Sequence, residues 1–293
     1  MSGTILDGRA LAASLREQLA QEVTRFVGER GTTPTLAVVR AGEDPASVSY
    51  ARAIAKACDG VGITFSPHVV PEATGEAQLA ALVGNLSADS KVHGIMIQEP
   101  LPKGVRASAL LEVLDPDKDV DGVHPENAGR LAQAEPVGRG AEEDRFFVPA
   151  TPGGGMEILK HYKVELSGKQ AVVVGRSSIV GKPMALLLLR QNATVTICHS
   201  RTTDLPGICR TADVLVAAVG RARMIKGDWV KPGAVVIDFG VNFEDGKMCG
   251  DVDFDEVVQL AGMITPVPGG TGPMTNVMLM RNVLEAARRQ TRP

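Results

Sequence analysis

A glycine-bounded turn, GRSSIVGKP at residues 175–183, directly follows the apolar run QAVVVG and could hold a phosphate group. The turn opens a predicted helix, so its free backbone N–H groups and the positive end of the helix dipole are available to an anion. Gly175 and Gly181 have no glycine between them, which departs from the usual GxGxxG spacing. We interpret the turn as a dinucleotide-phosphate site that includes Ser177, with a plain strand-to-helix turn as the alternative.

The end of the next β-rich run indicates which dinucleotide is bound. NAD-dependent enzymes usually place an acidic residue there for the ribose hydroxyls, whereas this chain has Cys-His-Ser-Arg at 198–201. Without a carboxylate to repel it, a 2′-phosphate could accept hydrogen bonds from Arg176, Ser200 and Arg201, since guanidinium groups match phosphate geometry. The sequence therefore predicts NADP as the cofactor. Arg201 could instead be a solvated loop cation, and we interpret His199 as structural.

Strand-like and helix-like runs alternate along the chain, which is typical of a parallel α/β fold. In the first half, apolar residues at every fourth position predict an amphipathic helix over 11–27, and the runs 35–40 and 92–98 are typical of buried strands. In the second half, four β-rich runs again alternate with helical stretches, and this pattern predicts a Rossmann-like domain. The charged segment 133–145 lacks apolar periodicity and is a predicted loop.

We therefore expect two domains. The first covers 1–148 and is an α/β domain, completed by a C-terminal helix at 272–293 that packs back on it. The second covers 149–271 and carries the predicted NADP site. The length of 293 residues agrees with about 150 residues per domain.

The composition excludes several classes of protein. With 31 Lys plus Arg, 34 Asp plus Glu and 3% aromatic residues, the chain lacks the basic excess and the stacking residues of a nucleic-acid binder. No apolar run approaches the roughly 18 residues of a membrane span and no signal segment is evident, so we expect a cytoplasmic protein. Its four cysteines contain no CxxC pair, which predicts reduced thiols and no metal site.

Further motifs carry a resemblance to a known family. They are GEDPASVSY, QEPLP, DPDKDVDGVHPENAGRL, PATPGGGMEILK, DFGVN and TPVPGGTGPMTN. In this order they resemble the bifunctional methylenetetrahydrofolate dehydrogenase/cyclohydrolase family over nearly the whole chain. The resemblance implies a catalytic domain completed by the C-terminal helix, an NADP domain between them, and a homodimer. It also implies hydride transfer from methylenetetrahydrofolate to NADP, followed by hydration of the methenyl product to formyltetrahydrofolate.

The resemblance places the family's folate-site residues on Tyr50, Gln98 and Asp121, as catalytic and substrate-binding residues. Their chemistry agrees with those roles, because a carboxylate accepts two hydrogen bonds from the amide and amino edge of a pterin. Tyr50 offers a ring for stacking and a hydroxyl group. The alternatives are that Tyr50 belongs to the core and that Asp119 or Asp121 belongs to a turn.

Three more positions follow from the same resemblance. Pro268 and Gly270, in the PGG segment, are expected to let the backbone approach the substrate closely, although PGG is also a common bare turn. Val241, in DFGVN, joins the predicted cofactor-binding residues.

One departure from the family pattern changes the expected chemistry. The family places a lysine, central to the cyclohydrolase step, four residues after the tyrosine, and this chain has Ile54 there. Lys56 matches a separate family lysine and lies about 200° around the helix from position 54; Arg52 is likewise on the wrong face. Hydration needs a water that is held and deprotonated, whereas the cofactor carries hydride transfer. We therefore expect a dehydrogenase with weak or absent cyclohydrolase activity.

Two alternatives remain open at this point. One is a fully bifunctional enzyme, and the other is a paralogue that binds folate without catalysis. The retention of both a predicted cofactor site and a predicted pterin site favours an enzyme. Glu99 stands where the family has an apolar residue, and Ala150 replaces a common cysteine. Glu99 adds negative charge near the predicted folate site unless it points to solvent.

Overall fold

The computed structural model describes residues 3–137 and 146–291. The chain divides into two compact units, each made of two separate stretches of sequence. The six-stranded unit contains Met1–Ala13 and Arg130–Thr275, and the three-stranded unit contains Ser14–Gly129 and Asn276–Pro293. Most of the predicted loop at 133–145 lies outside the described residues.

Strands and helices alternate through the described residues, which confirms the expected α/β class. The strands are β1 (Thr4–Ile5), β2 (Thr35–Ala41), β3 (Thr64–Val70), β4 (Gly94–Ile97), β5 (Gln170–Val174), β6 (Thr194–Cys198), β7 (Val214–Ala217), β8 (Val235–Asp238), β9 (Asn242–Glu244), β10 (Lys247–Cys249) and β11 (Met263–Ile264). The α-helices are α1 (Gly8–Arg30), α2 (Pro45–Asp59), α3 (Glu76–Ala88), α4 (Ala107–Leu111), α5 (Pro125–Gln133), α6 (Ala150–His161), α7 (Gly181–Arg190), α8 (Leu205–Cys209), α9 (Phe254–Val257) and α10 (Thr271–Gln290). In the described part of the chain, no helix is both long enough and apolar enough to cross a membrane.

The large sheet of the six-stranded unit has the order β1-β11-β8-β7-β5-β6, and every neighbouring pair is parallel. Strand β5 has β6 on one side and β7 on the other, so the direction of winding reverses at β5. Ligands of open α/β sheets bind outside the carboxyl ends of the strands at such a reversal. The sequence pattern does not indicate β1, because two residues are too few to show alternation.

Buried apolar side chains explain why this sheet forms. Val172, Val174, Leu215, Ala217 and Val236 alternate along their strands and pack into one core cluster. Strands that are covered on both faces are expected to read as continuous apolar runs, as β5 and β7 do.

The sheet of the three-stranded unit has the order β3-β2-β4 and is also parallel. Its core cluster includes Ala37, Val39 and Ile95 from the strands and Leu79 and Val83 from α3. The later part of α10 packs in the same unit. Asn282 donates from Nδ2 to the Val120 carbonyl at 2.8 Å, and Met280 Sδ lies 3.3 Å from Cys58 Sγ.

Candidate active site

Helix α2 carries the first group of predicted site residues. Asp44 caps its N-terminus by accepting a hydrogen bond from Ser47 N at 2.9 Å, and Pro45 occupies the first turn, where a missing N–H costs nothing. Residues four apart lie on the same helix face, so Tyr50 and Ile54 share the inner side of α2. Ile54 is fully buried.

The two cations of α2, Arg52 and Lys56, lie on different faces from Ile54. Arg52 and Lys56 are exposed, as the helical angle of about 200° between positions 54 and 56 requires. The structure therefore places an apolar side chain, with no amine, one turn after Tyr50.

Gln98 follows strand β4 and is almost completely buried, with 4% exposure. Its Nε2 donates to the Ser47 carbonyl at 2.6 Å, which fixes the orientation of the amide. Oε1 is consequently directed away from Ser47, and it has no hydrogen-bond partner among the described residues. A buried acceptor without a partner costs about 1–3 kcal/mol. This geometry suits a ligand that brings a donor to Gln98.

The neighbouring residue Glu99 is exposed, and its peptide bond to Pro100 is cis. Ser47 Oγ donates to the Glu99 carbonyl at 3.1 Å. Ser47 therefore ties both Gln98 and Glu99 to the first turn of α2, because it accepts from one and donates to the other.

The two predicted aspartates of the DPDKDVDG run have different roles. Asp119 is fully buried and accepts hydrogen bonds from His124 N at 2.7 Å, Val123 N at 3.2 Å and Asn127 Nδ2 at 2.8 Å. It therefore braces the loop, in agreement with the turn alternative. Asp121 is only partly buried, and no donor in the part of the chain that the structure describes braces it in this way.

Asp121 and Tyr50 lie close enough to influence each other electrostatically. Burial and, to a smaller extent, the negative charge of Asp119 together raise the pKa of Asp121 to about 6. Burial also raises the pKa of Tyr50 to about 12, with the charge of Asp121 adding to the effect. Around α2 the three-stranded unit thus presents a phenol, an amide oxygen and a carboxyl group that titrates near pH 6.

Pro268 and Gly270 belong to the six-stranded unit, immediately before α10. Pro268 is exposed and Gly270 is buried. A Cβ on Gly270 would lie 2.6 Å from the Pro266 carbonyl oxygen, so the glycine is required by its own turn. This local packing agrees with the bare-turn alternative for PGG, and a role in substrate binding stays a prediction.

The candidate cofactor turn follows β5 and leads into α7. Gly175 has a φ of +126°, and a Cβ at this position would collide with the Ala218 carbonyl oxygen. Gly175 N donates to the Cys198 carbonyl at 2.9 Å, which joins the ends of β5 and β6. Ser177 Oγ accepts from Val180 N and Gly181 N at 3.2 and 3.3 Å, so its hydroxyl hydrogen remains available to a phosphate.

The residues expected to contact the 2′-phosphate lie at the same edge of the sheet. Arg176, Ser200 and Arg201 are exposed at the carboxyl ends of β5 and β6. His199 Nδ1 accepts from Arg201 N at 3.2 Å, and His199 N donates to Thr202 Oγ1 at 2.9 Å. His199 therefore shapes the turn, in agreement with its structural interpretation. No carboxylate occupies 198–201, so these residues fit NADP.

Val241 follows β8 at this edge and is 59% exposed. Two buried carboxylates beside it, Asp238 and Asp251, were not identified from the sequence. Asp238 accepts hydrogen bonds from the backbone N–H groups of Gly240, Asp251 and Val252, while burial raises its pKa to about 7. An acidic residue directly after the apolar run AVVI is the signal that could have revealed Asp238.

Comparison with known families matches both parts of the chain. Residues 6–121 match the family described as tetrahydrofolate dehydrogenase/cyclohydrolase, catalytic domain. Residues 149–291 match tetrahydrofolate dehydrogenase/cyclohydrolase, NAD(P)-binding domain. The bifunctional protein FolD of Roseiflexus sp. is 54% identical over 291 residues, which are 99% of this chain and 98% of the relative.

Solved structures give the same result. The bifunctional FolD methylenetetrahydrofolate dehydrogenase/cyclohydrolase from Campylobacter jejuni is similar, with a TM-score of 0.93, 42% identity and coverage of 98% of this chain and 99% of that one. The Trypanosoma brucei N5,N10-methylenetetrahydrofolate dehydrogenase-cyclohydrolase, solved with NADP cofactor and an inhibitor, has a TM-score of 0.92 and 34% identity, with full coverage of both chains.

Proposed function

Because the chain belongs to the tetrahydrofolate dehydrogenase/cyclohydrolase family, we propose that it oxidises methylenetetrahydrofolate to methenyltetrahydrofolate with NADP, in one-carbon metabolism. The observation that carries this proposal is the match of both family domains in order, at 6–121 and 149–291. The geometry adds support, because the buried Gln98 Oε1 has no hydrogen-bond partner within residues 3–137 and 146–291, and the sequence has no competing carboxylate at 198–201.

The residues of this chain bind and orient the two reactants. NADP, when bound, accepts the hydride. Asp121 accepts hydrogen bonds from the pterin edge. Gln98 Oε1 accepts a further hydrogen bond from the substrate, and the Tyr50 ring packs against it. The turn at 175–181 holds the cofactor phosphates, with Arg176, Ser200 and Arg201 on the 2′-phosphate. Alignment of the two reactants supplies most of what a hydride transfer needs from a protein.

The second half of the family's reaction is proposed to be weak or absent. Hydration of a methenyl group requires a base that holds and deprotonates water, and such a group typically contributes about 10²- to 10⁴-fold in rate. Ile54 is buried and apolar at the position where the family has its lysine. A homodimer and a cytoplasmic location, both expected from the sequence analysis, complete the proposal.

The two activities are expected to separate when the purified protein is assayed with methylenetetrahydrofolate and NADP. Reduced NADP and methenyl product should accumulate together, and added methenyltetrahydrofolate should be hydrolysed little faster than in buffer. The measurement follows the absorbance of reduced cofactor and of the methenyl group separately. Rapid methenyl hydrolysis would instead show a bifunctional enzyme. Folate binding without either activity would contradict the enzymatic proposal.

Replacing Arg176 with alanine is expected to raise the KM for NADP about tenfold or more and to leave the KM for NAD nearly unchanged. Only NADP carries the 2′-phosphate, and charge-assisted hydrogen bonds to it are roughly twice as strong as neutral ones. Steady-state kinetics with each cofactor tests this. Lys169→Ala removes the same charge at the amino end of β5 and should change neither value. Equal effects on NADP and NAD would exclude Arg176 as the 2′-phosphate ligand.

A further inference from the structure

The loop that follows β7 forms one wall of the candidate cofactor crevice. The winding of the sheet reverses at β5, so the loops after β5 and β7 flank the position where dinucleotides bind in such sheets. These two loops touch, since Gly175 approaches the Ala218 carbonyl so closely that a Cβ would not fit. The conformation of the loop at 218–221 therefore sets the shape of the crevice.

A single buried carboxylate holds this loop. Asp251 is fully buried, and its Oδ2 accepts from Val219 N at 2.6 Å and Gly220 N at 3.0 Å. Its Oδ1 accepts from Arg221 N at 2.8 Å and from Asn242 Nδ2 at 2.9 Å. Three successive backbone N–H groups thus converge on one carboxylate.

This arrangement has the geometry of an anion-binding nest. Successive N–H groups around a residue in the left-handed region form a concavity that attracts anions, and Gly220 supplies that conformation with a φ of +64°. Here the occupant is the chain's own Asp251. The N–H groups of the loop are therefore engaged by the protein and do not bind a cofactor phosphate.

Asp251 is itself fixed from the neighbouring strand. Its backbone N–H donates to Asp238 Oδ1 at 3.1 Å, and Asp238 stands at the end of β8. Gly240 N donates to the same oxygen at 2.7 Å, and a Cβ on Gly240 would collide with Asp251 N. The two carboxylates thereby connect the carboxyl ends of β7 and β8, which border the crevice.

We propose that Asp251 is a positioning residue for NADP, which keeps the loop at 218–221 in the conformation that binds the dinucleotide. Asp251 is buried and both of its carboxylate oxygens accept hydrogen bonds from the chain itself, so we expect it to act on cofactor affinity and not on the reacting atoms. The inference rests on the proposed function, because it requires that this crevice binds NADP.

The test compares Asp251→Ala with the wild-type protein, after NADP binding by the wild type has been measured by titration calorimetry. Failure of the wild type to bind NADP would count against the proposed function itself. If it binds, Asp251→Ala is expected to raise the Kd for NADP about tenfold or more. The KM for methylenetetrahydrofolate and the kcat at saturating NADP should stay within about twofold. An unchanged Kd in the folded variant would overturn the inference, as would equal losses for both substrates.

Chemical rescue separates positioning from a general loss of structure. Sodium formate supplies a carboxylate small enough for the space left by Asp251→Ala, and it should lower the Kd for NADP towards the wild-type value. The same formate should not improve Asp251→Asn, whose amide fills the space, nor the wild type. Absence of rescue in a folded Asp251→Ala variant would contradict the role of the carboxylate.

Two further variants keep the test decisive. Asp213 accepts a backbone hydrogen bond from Gln170 N at 2.9 Å at the amino edge of the same sheet, so Asp213→Ala should lower the melting temperature without changing the Kd for NADP. If Asp251→Ala does not fold, Asn242→Ala removes one of the four donors and should raise the Kd about two- to fivefold. An unchanged Kd in that variant would then overturn the inference.

Discussion

Replacing Ile54 with lysine is expected to raise the rate of methenyltetrahydrofolate hydrolysis by about 10²- to 10⁴-fold, the usual contribution of a positioned general base. Position 54 lies one helical turn after Tyr50 on the inner face of α2, so the new amine would be held beside the proposed substrate. Burial disfavours the charged form of a lysine and thereby lowers its pKa towards neutrality. Such an amine could both hold the water and accept its proton.

The matched control is Ile54→Met, which has an unbranched side chain of similar length without an amine. Methionine should leave methenyl hydrolysis at the wild-type rate, while dehydrogenase activity persists in both variants. Stopped-flow absorbance of the methenyl group gives the hydrolysis rate directly. If Ile54→Lys folds, binds folate and yet hydrolyses no faster than Ile54→Met, the isoleucine is not the cause of a missing cyclohydrolase step.

Converting Asp121 to asparagine is expected to lower kcat/KM for methylenetetrahydrofolate by about 10²-fold or more. The carboxylate offers acceptors only, whereas an amide presents an N–H₂ group to the donors of the pterin edge, and unpaired buried polar groups discriminate strongly. Steady-state kinetics at saturating NADP measures the effect. Asp117→Asn is the matched control, because Asp117 is an exposed carboxylate of the same loop. Equal activity of the two variants would show that Asp121 does not bind the substrate.

The raised pKa of Asp121 also leads us to expect that substrate binding depends on pH. The pKa of Asp121 is raised to about 6, so the group becomes protonated in the folded protein as the pH falls through 6. Protonation converts one acceptor into a donor, and the KM for methylenetetrahydrofolate should therefore rise below pH 6 and stay constant above it. Asp121→Asn should show no such inflection. An inflection that persists in this variant belongs to another group.

Local patterns account for the parts of the fold that could be predicted. The apolar spacing every fourth residue gave the expected helix over 11–27, which is α1, and the continuous apolar runs gave β2 and β5. The turn after β5 was predictable because it is marked by glycines. The positive φ of Gly175 and its close contact with the Ala218 carbonyl both require a residue without a side chain. Each of these signals lies within a short stretch of sequence.

The remaining features depend on contacts between distant residues. Gln98 is oriented by Ser47, which lies 51 residues earlier, and no local pattern reveals which of its amide atoms makes that contact. Asp251 accepts from Val219, Gly220 and Arg221, about 30 residues earlier. The sequence identified Tyr50, Gln98 and Asp121 only through the family resemblance, and their assignment as site residues stays a prediction.

The division of each unit into two stretches of chain has a consequence for synthesis on the ribosome. The strands β2, β3 and β4 of the three-stranded unit emerge early. Met280 contacts Cys58 and Asn282 donates to the Val120 carbonyl, but both residues belong to the later segment that begins at Asn276. Domains generally fold as units while the chain emerges from its N-terminus. The early segment therefore has to wait, with part of its apolar core uncovered, until the segment from Asn276 onward has been synthesised. A nascent chain stalled before α10 would consequently be a substrate for chaperones.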